Sequence, residues 1–116
     1  MLRKPTVVKA IALALGTTAG LAFATACFAD EALQLRFEHG VFAPLQLTVP
    51  ANKPFKVKVT NSSNAAIEFE SFELHRERAV APGETITVRM PSLAPGSYRF
   101  FDDFHHEVPE GVIVSQ

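Results

Sequence analysis

"ITVRMPSLAPGSYRFF", Ile86 to Phe101, holds two runs in which every second residue is apolar, joined by a segment with two prolines and a glycine. Ile86, Val88 and Met90 alternate with Thr87 and Arg89, and Tyr98 and Phe100 with Arg99. Side chains on a strand point to opposite faces in turn, so this spacing describes half-buried strands with one face on a core. "PSLAPG" (91–96) continues neither strand and reads as the turn between them. Outward from here the pattern repeats. "LQLRF" aligns Leu33, Leu35 and Phe37; "LQLTV" aligns Leu45, Leu47 and Val49; "FKVKV" aligns Phe55, Val57 and Val59. Turn signals punctuate the runs at Pro44 and at 50–54, 61–64, 81–84 and 109–111. No segment sustains a helical repeat. About seven short strands with regular punctuation predict an all-β fold, an antiparallel Greek-key β-sandwich.

The N-terminus has another character. Arg3, Lys4 and Lys9 precede a stretch with no charge from Ala10 to Ala29, in which "IALAL" gives way to small residues. These are the three parts of a secretory signal peptide, with cleavage expected after Ala29. Two other readings of the stretch are a retained anchor helix and lipidation at Cys27, the chain's single cysteine. Residues 1–29 are therefore assigned as signal peptide and 30–116 as one domain, exported to the periplasm, cysteine-free and not inserted in the membrane. Without Arg3, Lys4 and Lys9, eight of the 11 basic residues remain against 12 acidic ones, and the domain is mildly acidic. That balance argues against nucleic-acid binding.

Acidic and imidazole side chains are concentrated in two places, "IEFESFELH" (67–75) and "DDFHHE" (102–107). Glu68 and Glu70 project from one face of a strand, opposite Ile67 and Phe69. Two such carboxylates repel unless water screens them or a cation lies between them. A solvated outer face explains the glutamates alone, whereas a second donor-rich segment points to a metal. Candidate ligands are Glu68, Glu70, Asp102, Asp103 and His105. His39 precedes Gly40 in what reads as a turn, and His75 reads as a surface residue. His106 points away from His105 in extended backbone. Phe100, Phe101 and Phe104 are expected in the core and the pocket wall, and Met90 in packing. No nucleophile triad, phosphate loop or paired zinc motif is present.

"FAPLQLTVPANKPFKVKVTNSS" (42–63) and "APGETITVRMPSLAPGSYRFF" (81–101) resemble the two halves of a cupredoxin. "NSSNAAIEFES" (61–71), "VAPGE" (80–84) and "LAPGSYRFFDDFH" (93–105) resemble, within that superfamily, the EfeO-type cupredoxin-like domains of bacterial ferrous-iron uptake systems. The resemblance covers residues 33–115. It implies that Glu68 or Glu70 stands where blue-copper members carry their first His, Asp102 where they carry Cys, and His105 at their second His. The methionine position has no counterpart, since 108–110 read Val, Pro, Glu.

Without a thiolate, a strongly coloured electron-transfer copper site is not expected. Carboxylates with imidazole suit Fe(II), Mn(II) or Cu(II). The expected function is a periplasmic protein that binds an iron or copper ion and assists ferrous-iron oxidation or delivery. The resemblance implies a membrane iron permease and other periplasmic uptake components as partners. Two other functions stay open: a metal-free interaction module whose acidic face docks a basic partner, and a copper carrier using His39, His75 and His105.

Overall fold

The computed structural model describes residues 32–116, together with Arg3. The assigned signal peptide and Cys27 lie outside the described residues. Nine strands form two sheets, with no helix among the described residues. β1 (Leu33–Glu38) and β2 (Val41–Ala43) make a hairpin closed by His39 and Gly40. Both have positive φ, 53° and 76°, the left-handed backbone of a two-residue type I′ turn. The "HG" pair is thus the turn its sequence suggested.

The chain then changes sheet. Pro44 and Leu45 separate β2 from β3 (Gln46–Val49), which pairs parallel with the last strand, β9 (Gly111–Ser115). After the reversal at 50–54, β4 (Phe55–Asn61) returns beside β1. β2 and β3 run on in one direction, so the strand that follows their reversal shares the direction of β1. The β1–β4 pair is accordingly parallel, as is β3–β9. The sheets are therefore mixed, not purely antiparallel as expected. Alternation reports which face of a strand is buried, not the direction of its neighbour. β5 (Ile67–Ser71), β6 (Arg76–Val80), β7 (Thr85–Met90) and β8 (Gly96–Asp102) complete a four-stranded sheet, β2-β1-β4-β7, and a five-stranded one, β3-β9-β8-β5-β6.

The core between them is built from the alternating residues. Leu35, Phe37, Leu47, Val49, Val57, Val59, Ile86, Val88, Met90 and Phe100 are all buried. Leu45 departs from its run and is 43% exposed, because the chain is crossing between sheets there. Phe42, at the centre, meets Phe37 and Phe100 edge-on at 5.1 and 5.3 Å, while Phe69 stacks on Phe100 at 5.4 Å. Gly111 faces Phe100 across β8–β9, and a Cβ there would overlap the ring.

Asn61 ties the β4 exit to the start of β5. Its buried amide donates to the carbonyls of Ala65 (2.8 Å) and Val80 (3.0 Å), and its oxygen accepts from the Ser63 backbone and hydroxyl. On the side away from β6, β5 pairs with β8, in the register Phe69↔Asp102 and Glu70↔Phe101. The two donor-rich segments of the sequence are neighbours in one sheet.

Candidate metal centre

Residues opposite each other across a ladder share a face of the sheet. Phe69 and Asp102 point into the sandwich; Glu68, Glu70 and Phe101 point out. The backbone N–H of Asp103 donates to the Glu68 carbonyl at 3.0 Å and continues the ladder by one residue. Its carboxylate consequently joins the outward set. Oxygens of Glu68, Glu70 and Asp103 all lie within 4.8 Å of one another. Metal–oxygen bonds of about 2.0–2.6 Å put neighbouring ligand oxygens about 3–4 Å apart, so small side-chain rotations would bring the three oxygens onto one divalent cation.

The two glutamates of this trio have no basic partner among the described residues. Glu77 on β6 lies directly opposite Glu70. Among the described residues no lysine or arginine forms an ion pair with Glu68, Glu70 or Glu77. Burial, and next the charge of Glu77, push the Glu68 carboxyl up to about 7. The same two causes raise Glu70. A cation bound among them would replace protons as the source of positive charge. An imidazole adjoins the trio: His106 Nε2 is 3.3 Å from Asp103 Oδ1, and its ring lies 6.1 Å from that of Phe101.

Asp102 and His105 stand apart from this set. Asp102 is fully buried. Its Oδ1 accepts the backbone N–H groups of Glu68 (2.9 Å) and Phe104 (3.0 Å), and its Oδ2 is 2.7 Å from His105 Nδ1. The carboxylate braces the end of β8 against the start of β5 and orients the imidazole. With Nδ1–H donated to Asp102, His105 offers only Nε2 to a ligand. The five candidate ligands thus fall into an outward trio and an inward carboxylate–imidazole pair.

The other candidates resolve individually. His39 and His75 are exposed turn residues with positive φ. Met90 is buried in the core and Phe101 is half-buried. Phe104 is 50% exposed and belongs to neither core nor pocket wall, because the chain leaves the ladder after Asp103. Glu77 and His106 were absent from the candidate set. His106 could have been found by extending the alternation: Phe100 inward places Phe101 and Asp103 outward, and a turn after Asp103 returns a neighbour to that side. Glu77 carries no such signal, since "RERAV" is charged at every position before Ala79 and does not alternate.

The donor set consists of oxygens with one imidazole nearby, and residues 30–116 contain no cysteine. It fits a harder cation such as Fe(II), Mn(II) or Cu(II), and not a copper–thiolate centre.

The fold has many solved relatives. A metal-binding domain of the Cu(I)-exporting P-type ATPase CopA of Streptococcus pneumoniae superposes with a TM-score of 0.62 at 15% identity, over 72% of this chain and 83% of that one. Auracyanin from Roseiflexus castenholzii gives 0.59 at 16% identity, over 73% and 96%. A purple cupredoxin from Nitrosopumilus maritimus gives 0.56 at 16%, over 72% and 99%. At these identities the likeness is one of fold. An uncharacterised protein of Rickettsia prowazekii (strain Madrid E) is 37% identical over 73 residues, 63% of this chain, and the match spans 58% of that relative's length. The cupredoxin-like domain family matches residues 10–115, and the chain belongs to that family.

Proposed function

We propose that this cupredoxin-like protein is an exported metal-binding protein that holds ferrous iron through Glu68, Glu70 and Asp103 and passes it to a membrane iron permease. The observation that carries the reading is the convergence of three carboxylates on one face, with no basic side chain among the described residues paired to Glu68 or Glu70. Oxygen donors favour iron over the soft Cu(I) ion. They also stabilise Fe(III) more than Fe(II), since the higher charge gains more from anionic ligands, and bound iron becomes easier to oxidise. His106 supplies a nitrogen donor within reach of the Asp103 carboxylate. The resemblance to EfeO-type domains supports the uptake role.

Copper is the second reading, favoured by the Asp102–His105 pair, in which the carboxylate orients an imidazole with one nitrogen left for a metal. Anaerobic titration of the purified protein with Fe(II), Mn(II) and Cu(II) separates the two. Under the iron reading, Asp103→Asn and Glu70→Gln abolish Fe(II) binding and His105→Ala leaves it intact. Binding of Cu(II) alone, lost in His105→Ala and retained in Asp103→Asn, overturns it.

A further inference from the structure

The two outer faces of the sandwich differ in kind. On the four-stranded sheet the outward positions are mostly polar: Gln34, Arg36, Lys58, Thr87 and Arg89 are all exposed, and only Val41 and Ala43 on the short edge strand β2 are apolar. On the five-stranded sheet the positions turned away from the core include Phe101, Val112 and Val114, each half-buried. Phe72, in the turn after β5, is 68% exposed and packs edge-on against Phe101 at 5.1 Å. Beside it a shallow hollow opens between Phe72, Phe101 and His106, lined also by Glu73, Arg99 and Glu110.

Carboxylates surround this apolar band. Glu68, Glu70, Glu77 and Asp103 border it on the β5–β6 side. Glu73 and Glu110 border the hollow and neutralise Arg99, at 3.2 and 3.9 Å. An apolar centre inside a charged rim is the anatomy of a protein-binding surface.

We propose that the outer face of the five-stranded sheet is a docking surface for a basic protein segment that inserts an aromatic or large apolar side chain beside Phe72 and Phe101. The sign of the rim selects the occupant. A second copy placed face to face would bring two acidic rims together, and its basic four-stranded face offers no aromatic side chain for the hollow, only Val41 and Ala43 at its β2 edge. An anionic lipid surface is repelled by the same carboxylates. A basic partner alone satisfies both the rim and the hollow. The proposal does not depend on metal binding.

The test uses the purified protein in chelator-containing buffer and two pentapeptides, one with four lysines around a central tryptophan and one with serine in its place. Backbone NMR shifts report affinity and location. The tryptophan peptide should bind about tenfold tighter than the serine peptide and perturb Phe101, Val112 and Val114. Phe72→Ser, a change at an exposed turn residue, should erase that advantage and leave the serine peptide's affinity unchanged. Equal affinity of the two peptides overturns the proposal. So do shifts centred on Lys58 and Arg89, or concentration-dependent shifts of the same band without peptide, which would make a second copy the occupant.

Discussion

Asp102 offers the sharpest test of how the donor residues divide, because two of its substitutions remove different things. Asp102→Ala deletes every acceptor at once. The Glu68 and Phe104 N–H groups lose partners at 2.9 and 3.0 Å, and His105 loses its contact at 2.7 Å. An unsatisfied buried donor costs about 1–3 kcal/mol. Glu68 N–H and Phe104 N–H lie at partly buried positions, so the pair together should cost about 3–4 kcal/mol. Asp102→Asn keeps one carbonyl oxygen, which serves both N–H groups in place of Oδ1. Its amide N–H₂ then faces His105 Nδ1 and can only donate. The imidazole must carry its proton on Nε2 instead, so the nitrogen exposed to solvent changes from acceptor to donor. The expected loss for Asn is about 1 kcal/mol, near that of one ordinary hydrogen bond.

Urea denaturation of the three proteins measures the first effect, and ¹⁵N chemical shifts of the His105 ring measure the tautomer. If alanine costs less than about 0.5 kcal/mol, Asp102 does not brace β5 against β8 and the division of the site is wrong. If asparagine costs as much as alanine, the negative charge matters and the acceptor geometry does not. Either substitution should leave Fe(II) affinity at Glu68, Glu70 and Asp103 within about threefold once the fold is intact, a difference under 1 kcal/mol.

Further outcomes are accessible to the same protein. Gly111→Ala should destabilise by about 3 kcal/mol or more, read as a melting temperature lower by about 12 °C or more, because its Cβ overlaps a fully buried Phe100 ring; Phe100→Leu in the same chain should recover part of the loss. Glu68 titrates at about 7 when folded against 4.5 otherwise, so its contribution is complete below about pH 4.5 and disappears as pH rises through 7. Metal-free wild type should therefore lose melting temperature across that window, and Glu68→Gln should flatten the loss; an unchanged slope would show the carboxyl to be solvated. A Cu(II)-loaded sample should show only weak d–d absorption, and an intense thiolate charge-transfer band would contradict a cysteine-free domain. Intact mass of the exported protein should correspond to a chain beginning at Asp30, and a mass retaining residues 1–29 or an acyl group on Cys27 would refute soluble export.

The core was legible because period-two alternation is a direct consequence of one-sided burial. Each of Leu35, Val57, Val88 and Phe100 sits inside for the same reason that Gln34, Lys58, Thr87 and Arg99 sit outside. The alternation is silent where its physical cause is missing. β2 has three residues, too few to alternate, and β6 lies at a sheet edge with Arg76, Glu77, Arg78 and Ala79 all at least partly exposed, so it shows no apolar period. Parallel pairing was equally hidden, because it follows from the sheet change at Pro44 and Leu45 and leaves no mark on which residues are buried. At the site, the convergence of 68–70 with 102–103 depends on a β5–β8 register that only the assembled sheet defines.

Adjacent residues on a strand cannot serve the same face, and the two aspartates of "DDFHH" follow that rule. Asp102 follows Phe100 inward, where every acceptor is taken by the protein itself; Asp103 follows Phe101 outward, where it meets Glu68 and Glu70. His105 reaches back to the first aspartate and His106 to the second, each three residues on. The doubled pairs therefore do unlike things, one closing the sandwich and one completing an open cluster of negative charge. A carboxylate that already accepts three hydrogen bonds in a fully buried position has little to gain from a cation. One raised toward neutrality by burial and by its like-charged neighbours has the most to gain. That contrast in compensation, more than the count of acids, is what supports the proposal of a metal on the outward face.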